Sequence, residues 1–234
     1  GALGIIAHPD EIRDRMRNYP PYPWKDWQAV GFDGIEIWNQ MSEWTERLTP
    51  YNKLPMAFSP RKSMIGPTDR VRKKWDELSQ VQKCVGISAV DAHAFPVKVG
   101  PFTVRIFPYK VHFKSLRTTV IFDQPLAKDF KTAARQLYDA LRNCRCYGAN
   151  IRWGDADGFD FWAENSSNRA GMGESIRLTS ATCLHTDLPA NARIIVVKNG
   201  VTIYEQSGRT LELPVTEPGV YRLEAWRGRR GWIF

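Results

Sequence analysis

Long apolar runs are missing from this 234-residue chain: none approaches the ~18 residues a membrane-spanning helix needs. No signal-peptide pattern opens it either. Together these absences argue against a membrane protein and favour a cytoplasmic one. Cysteine is scarce, with four residues, at positions 84, 144, 146 and 183. Cys144 and Cys146 stand too close together for the Cys-x-x-Cys geometry of redox and zinc sites, and no second pair completes such a site. The four are read as reduced, mostly buried thiols. Internal repeats and low-complexity stretches are absent, which sets aside repeat architectures and disordered linkers. The chain also lacks a Met at position 1 and enters a strand at once, which reads as a fragment with Gly1 a cloning remnant.

What is present points to a globular protein. A hydrophobic content of 43% with nine Trp is enough to build a core in one large domain or two modest ones. The net charge is +8 and the isoelectric point about 9.4, which would suit anionic partners. The basic residues, however, are spread along the chain, with only short clusters at 70–74 and 227–230. They are read as a solvated, mixed-charge surface, and nucleic-acid binding is not favoured.

Residues 2–7 form a continuous apolar run, as expected of a parallel strand covered on both faces. His8-Pro9-Asp10 follows, where Pro9 ends the ladder and Asp10 can cap a short helix over Glu11–Asn18. Residues 19–24 hold three prolines and read as a loop, and 24–29 as one or two helical turns. Residues 31–39 read as the next strand, with Ile35 and Ile37 on one face and Glu36 and Trp38 on the other. A glutamate within such a strand needs a partner or a cation. A helix over 40–48, an irregular proline-bearing segment over 49–67, and a helix from Thr68 or Asp69 through Gln80 come next, the last with Val71, Trp75 and Leu78 on one face. The apolar run Val85–Phe95 then ends in Asp91-x-His93. Strand residues two apart share a side, so a carboxylate and an imidazole converge there, as Zn or Mn would require of one segment.

Beyond Phe95 the pattern predicts a short extended stretch within 96–107, a helix over 108–117, an extended segment over 118–122 and a helix over 127–143 with Phe130, Ala134, Leu137 and Leu141 on one stripe. From Cys144 onward short strands dominate, at 146–153, 158–162, 175–184, 192–197, 201–205, 210–215 and 219–226. Asn199-Gly200 is a tight-hairpin signal. A small β-sandwich over 144–234 is expected, following an α/β unit over 1–143.

Three motifs occur in order: Gly4-Ile-Ile-Ala-His-Pro9, Gly34-Ile-Glu-Ile-Trp-Asn39 and Gly86-Ile-Ser-Ala-Val-Asp-Ala-His93. Together they resemble the second half of a PHP (polymerase and histidinol phosphatase) domain. The closer resemblance is to the CehA/McbA-like branch with a C-terminal β-sandwich, whose sandwich is similar to 158–161, Met172-Gly173, 218–224 and 232–234 here. The resemblance implies a fold of the α/β class: a partial (β/α)7 PHP-type barrel segment, TIM-like, over 1–143, followed by the small all-β sandwich.

It also implies a metal-dependent phosphoesterase or related hydrolase. Such an enzyme uses water activated by divalent Zn, Mn or Fe on a phosphorylated or other small-molecule substrate. By position, His8, Asp91 and His93 match metal ligands, and Glu36 and Asn39 match a site-adjacent motif. PHP domains open with a His-x-His pair that this chain lacks. Three ligands could hold one metal but not the family's cluster, so the chain alone is read as incomplete or inactive. The alternative is a non-catalytic binding or scaffold protein with a degenerate site and a ligand- or protein-binding sandwich. His112 and His185 are assigned structural roles. A half-barrel would bare strand edges, so either a homodimer or coverage by the chain's own segments is expected.

Overall fold

The computed structural model of the chain describes residues 2–14 and 20–234. Its first layer is a three-stranded parallel sheet. β1 (Ile5–Ile6) pairs with β2 (Gly34–Asn39), and β2 leads into α1 (Gln40–Arg47). The proline-bearing segment expected to be irregular carries α2 (Lys53–Phe58) and a 3-10 turn at Pro60–Lys62. α3 (Asp69–Ser79) delivers the chain to β3 (Val85–Ala89), which pairs parallel to β2. The Thr68 hydroxyl accepts the Val71 amide and starts α3, while the Asn39 side chain accepts the Ser42 amide and starts α1. The expected helix over Glu11–Asn18 is not found in its described part, 11–14, and 15–18 lie outside the described residues. Asp10 instead accepts a hydrogen bond from the Thr68 hydroxyl.

After β3 the chain forms a separate hairpin, β4 (Phe95–Val99) with β5 (Phe102–Ile106). The helix expected over 108–117 is only the single turn α4 (Tyr109–His112), because β6 (Leu116–Val120) already belongs to a strand pair. α5 (Phe130–Arg142) carries the predicted stripe but does not bury it: Phe130 is 82% exposed and only Ala140 is buried.

The remainder is β7 (Cys146–Asn150), β8 (Asp160–Glu164), β9 (Arg169–Ala170), β10 (Cys183–Lys198), β11 (Val201–Pro214), β12 (Tyr221–Arg227) and β13 (Arg230–Ile233). With β6 these make one eight-stranded sheet in the order β6-β7-β13-β12-β10-β8-β9, with β11 on β10; each of its pairs is antiparallel.

The expected (β/α)7-type barrel is therefore corrected. The described chain is mostly β, has only three parallel strands, and contains no closed barrel, and the sandwich expected over 144–234 is corrected as well, since those strands lie in one eight-stranded sheet that also takes in β6. Antiparallel pairing of β6 with β7, in place of further βα units, ends the parallel pattern. The strands expected at 175–184 and 192–197 are one long strand, β10, that begins only at Cys183. Those at 201–205 and 210–215 are likewise one strand, β11. An irregularity between Asp187 and Ala192, around Pro189, bends this ribbon, and the composition there resembles a loop.

Besides a small core of Met41, Trp44, Met56 and Phe107, two large cores hold the molecule. One fills the large sheet, with Tyr147, Phe161, Ile194, Val196, Leu211, Leu223 and Trp232 among its members. The other joins the layers: Ile35, Ile37, Trp38 and Val71 pack with Ile195, Val197 and Trp226. The Phe234 ring sits edge-on to both Trp38 and Trp226, at 5.4 and 5.3 Å between centroids. Charge crosses the same junction. Buried Glu224 of β12 accepts Arg72 of α3 at 2.6 and 2.7 Å and Arg222 at 2.5 Å, and Arg222 reaches Asp76 of α3. At the outer edge of β3, the Thr118 hydroxyl of β6 stands in for a ladder partner, accepting the Ser88 amide at 2.9 Å and donating to its carbonyl at 2.8 Å.

Candidate functional site

Parallel packing aims the C-terminal ends of β1, β2 and β3 the same way, the end at which open α/β sheets keep their sites. His8 follows β1, Glu36 and Asn39 close β2, and Asp91 and His93 follow β3. The His8 amide donates to Glu36 Oε2 at 2.6 Å, and the Asn39 amide nitrogen donates to the same oxygen at 3.0 Å. Since Asn39 also caps α1, one side chain ties the strand end, the helix start and the Glu36 carboxylate together. Glu36 is buried, and its pKa is raised: desolvation outweighs the bonds from Asn39 and His8, and the Asp91 charge adds to the rise. That coupling joins the β3 end to the β1–β2 end.

Asp91 Oδ1 and His93 Nε2 stand 3.0 Å apart. His93 also stacks on Phe95, 5.0 Å between ring centroids. His8 Nδ1 is buried without a hydrogen-bond partner among the described residues and faces Glu11 Oε2 at 3.8 Å. Beneath it lies a crevice of about 20 Å³ lined by His8, Asp10, Glu11, Glu36, Asn39 and Ser42, room for roughly one water or ion.

Backbone strain collects here as well. His8, Asp91, Ala94 and Phe107 all have positive φ, between 32° and 58°, without being glycine. Such residues cluster at functional sites.

The site thus brings His8, Glu36 and Asn39 into one group and Asp91 and His93 into another beside it. Sequence reasoning missed Glu11, whose buried carboxylate accepts from Arg13 Nε at 2.6 Å, the Tyr22 amide at 2.9 Å and the Ser42 hydroxyl at 3.1 Å. Its place three residues past His8, beyond a proline turn, was the available signal. It also missed Gln40 and His112, which are fully buried with no partner among the described residues for either side-chain polar atom.

The donor types of His8, His93 and Asp91, two imidazoles and a carboxylate, suit a divalent cation, but Asp91 and His93 do not line the crevice at His8. Among the described residues, no three His, Cys, Asp or Glu side chains are drawn together closely enough to hold an ion as they stand.

A larger cleft, about 410 Å³, lies away from this chemistry, between the end of β6 and α5. Its polar groups are already engaged: Arg145 with Asp123 and Glu174, Gln136 with the Ala127 amide, and Asn143 with Lys83. The aromatic stack on the large sheet is likewise filled, because Trp162 lies against His185 and under Arg169.

Fold and site together define a mixed protein, a short parallel α/β layer with a polar strand-end site docked on a large antiparallel sheet. Comparison with known proteins identifies no family: no family model, no curated protein and no solved structure matches the chain.

Proposed function

We propose that the strand-end site belongs to a metal-dependent hydrolase, of the phosphoesterase kind that the PHP-like motifs suggest. The observation that carries this reading is the placement of His8, Glu36 and the Asp91–His93 pair at one end of three adjacent parallel strands, with the His8 Nδ1 atom buried and without a partner among the described residues. His8, Asp91 and His93 would hold the cation, Zn, Mn or Fe. When bound, such an ion supplies Lewis acidity and lowers the pKa of a coordinated water. The chain's own part is orientation. Glu36 fixes the His8 backbone, Asn39 fixes Glu36, and Glu11 offers a carboxylate to the His8 ring. The substrate class is a phosphorylated or other small molecule. The four cysteines form no disulfide, which suits a reducing, cytoplasmic setting. No helix among the described residues is long and apolar enough to cross a membrane.

The test is hydrolysis of generic phosphomono- and diesters with added Zn²⁺, Mn²⁺ or Fe²⁺, against chelator and against His8→Ala and Asp91→Asn. The reading expects metal-dependent turnover that both substitutions abolish. Turnover indifferent to chelator would overturn it.

One observation favours the alternative of a non-catalytic binding protein: among the described residues no three ligands are closed around a point. Cation binding without turnover on any ester would support that alternative.

A further inference from the structure

Acidic residues vanish from one stretch of this chain. Residues 92–122 contain no Asp or Glu, yet they hold the cations Lys98, Arg105, Lys110, Lys114 and Arg117. Aromatic residues recur through the same stretch, from Phe95 to Phe122. Its first part is the β4–β5 hairpin, which pairs with no third strand among the described residues.

A two-stranded hairpin is marginal in water unless an apolar face is packed. Here only the root is. Ile106 packs on the small core of Met41, Trp44, Met56 and Phe107. Toward the tip that cover ends, leaving Phe102 72% and Val104 48% exposed. Register shows how the hairpin sorts its residues. Directly opposed residues of an antiparallel pair share a face, and the face alternates along each strand. Phe95 pairs with Ile106, Val97 with Val104 and Val99 with Phe102, so Phe95, Phe102, Val104 and Ile106 share one face. Pro96 pairs with Arg105 and Lys98 with Thr103, so both cations belong to the other. Just beyond the hairpin, Tyr109 of α4 and Phe113 stack at 6.2 Å, and both rings are exposed.

This sorting selects the occupant. A single-stranded nucleic acid is held by cations and stacking rings on one surface, and the hairpin sets them on opposite faces. A second copy would press like charge against like, because the chain carries +8 and this stretch supplies cations without one acid. A bilayer containing anionic lipid is itself layered, apolar within and negative at its surface. Elements that lie in it turn an apolar face inward and keep Lys and Arg on the outer one.

We propose that the β4–β5 hairpin is a reversible anchor for an anionic bilayer surface, with Phe102 and Val104 entering the acyl boundary and Lys98 and Arg105 at the lipid phosphates. A surface anchor needs no spanning helix, and no helix among the described residues is long and apolar enough to be one. The anchor stands apart from the metal-site reading. Because the hairpin starts two residues past His93, it also carries the strand-end chemistry to the membrane surface, whatever that chemistry is.

The experiment is co-sedimentation of the full chain with vesicles of phosphatidylcholine alone and of phosphatidylcholine with phosphatidylserine at roughly 3:1. The variants are Phe102→Ser/Val104→Ser on the apolar face and Lys98→Glu/Arg105→Glu on the polar one. Lys131→Glu/Arg135→Glu, on exposed positions of α5, is the charge-matched control. The wild type should pellet with the serine-containing vesicles and stay in solution with phosphatidylcholine alone. The apolar pair, which keeps the full net charge, should bind at least about tenfold more weakly. The hairpin charge pair should lose roughly fivefold for each cation removed, and the α5 pair should lose far less. Melting temperatures equal to the wild type's certify each variant's fold. If the apolar pair melts lower, the hairpin charge pair set against the α5 pair decides alone. Equal losses in those two charge pairs, or undiminished binding by a folded apolar pair, would show general attraction of a basic protein and overturn the proposal. So would absence of vesicle binding, including the case in which the chain self-associates in analytical ultracentrifugation and Phe102→Ser/Val104→Ser abolishes it, which would assign the face to a second copy.

Discussion

The backbone N–H of His8 donates to the carboxylate of Glu36 at 2.6 Å, across 28 residues of sequence. This one bond fixes how β1 ends relative to β2, and it places a buried acid where a positive charge would be welcome. Burial raises the Glu36 pKa above its ordinary 4.5, so the folded chain keeps that proton to higher pH than the unfolded chain does. Stability should therefore fall as pH rises from about 4.5 through the raised value. In Glu36→Gln that decline should become shallower without vanishing, since burial raises the Glu43 carboxyl too, read as a flatter urea midpoint across the same window in the presence of chelator. An unchanged pH profile would show that Glu36 is not the group responsible.

The link between the two layers behaves in the opposite sense. Burial alone would raise the Glu224 carboxyl, but Arg222 and Arg72 outweigh it, and the pKa is lowered. Its contribution is thus fully present above the unfolded value and is lost as pH falls through the lower, folded one. Arg222→Met leaves Glu224 and Asp76 short of a counter-charge in a buried setting, with an expected loss on the order of 3–5 kcal/mol. Urea unfolding of this variant at neutral pH checks the figure, and a loss under about 1 kcal/mol would mean the network behaves as a surface one.

Gly34 begins β2 where the strands approach most closely. A Cβ there would lie 2.2 Å from the Val85 carbonyl oxygen, a backbone atom of β3 that cannot step aside alone. Gly34→Ala should therefore cost at least the roughly 1–3 kcal/mol typical of overpacking. It should also weaken the parallel sheet selectively, seen as faster amide exchange in β2 and β3 than in β12. Uniform exchange rates would contradict this.

Thiol chemistry offers a separate check. Burial pushes Cys84 and Cys146 up to about 12, and it raises Cys144 as well. Thiolate, the reacting species, is then almost absent from all three at pH 8. Labelling of the native protein with an aromatic disulfide reagent should modify Cys183 first and leave Cys84 and Cys146 untouched until unfolding. Prompt modification of Cys84 would mean that the core around Trp75 and Ile35 opens readily.

The sequence was most legible where one local rule dominated. Thr68 capping a helix, the apolar face of that helix, and the Asn199-Gly200 hairpin were all readable from neighbours in the chain. The three parallel strands were readable too, from apolar runs with abrupt polar endings, but β3 stops at Ala89, so Asp91 and His93 lie in the turn past it, Asp91 in the left-handed region, and not on one face of a strand as expected. The large sheet was harder. Pro189 and Gly208 look like loop residues, yet they sit inside long strands that bend, and only the pairing partner reveals this. The barrel expectation failed for a related reason: a strand's own residues do not say whether its next neighbour will be parallel or antiparallel. Among site residues, Glu11 was hidden because its significance comes from burial and its bonds to Arg13, Tyr22 and Ser42, not from spacing.

In the proposed hydrolase His8, Asp91 and His93 would hold the cation. Crystals soaked in Zn²⁺ or Mn²⁺ and measured at the metal's absorption edge test this. The expected map has an anomalous peak within about 2.0–2.3 Å of a nitrogen of each of these two histidines and an oxygen of Asp91. A map with no peak at the ends of β1, β2 and β3, or with the ion held only by surface carboxylates elsewhere, would contradict it.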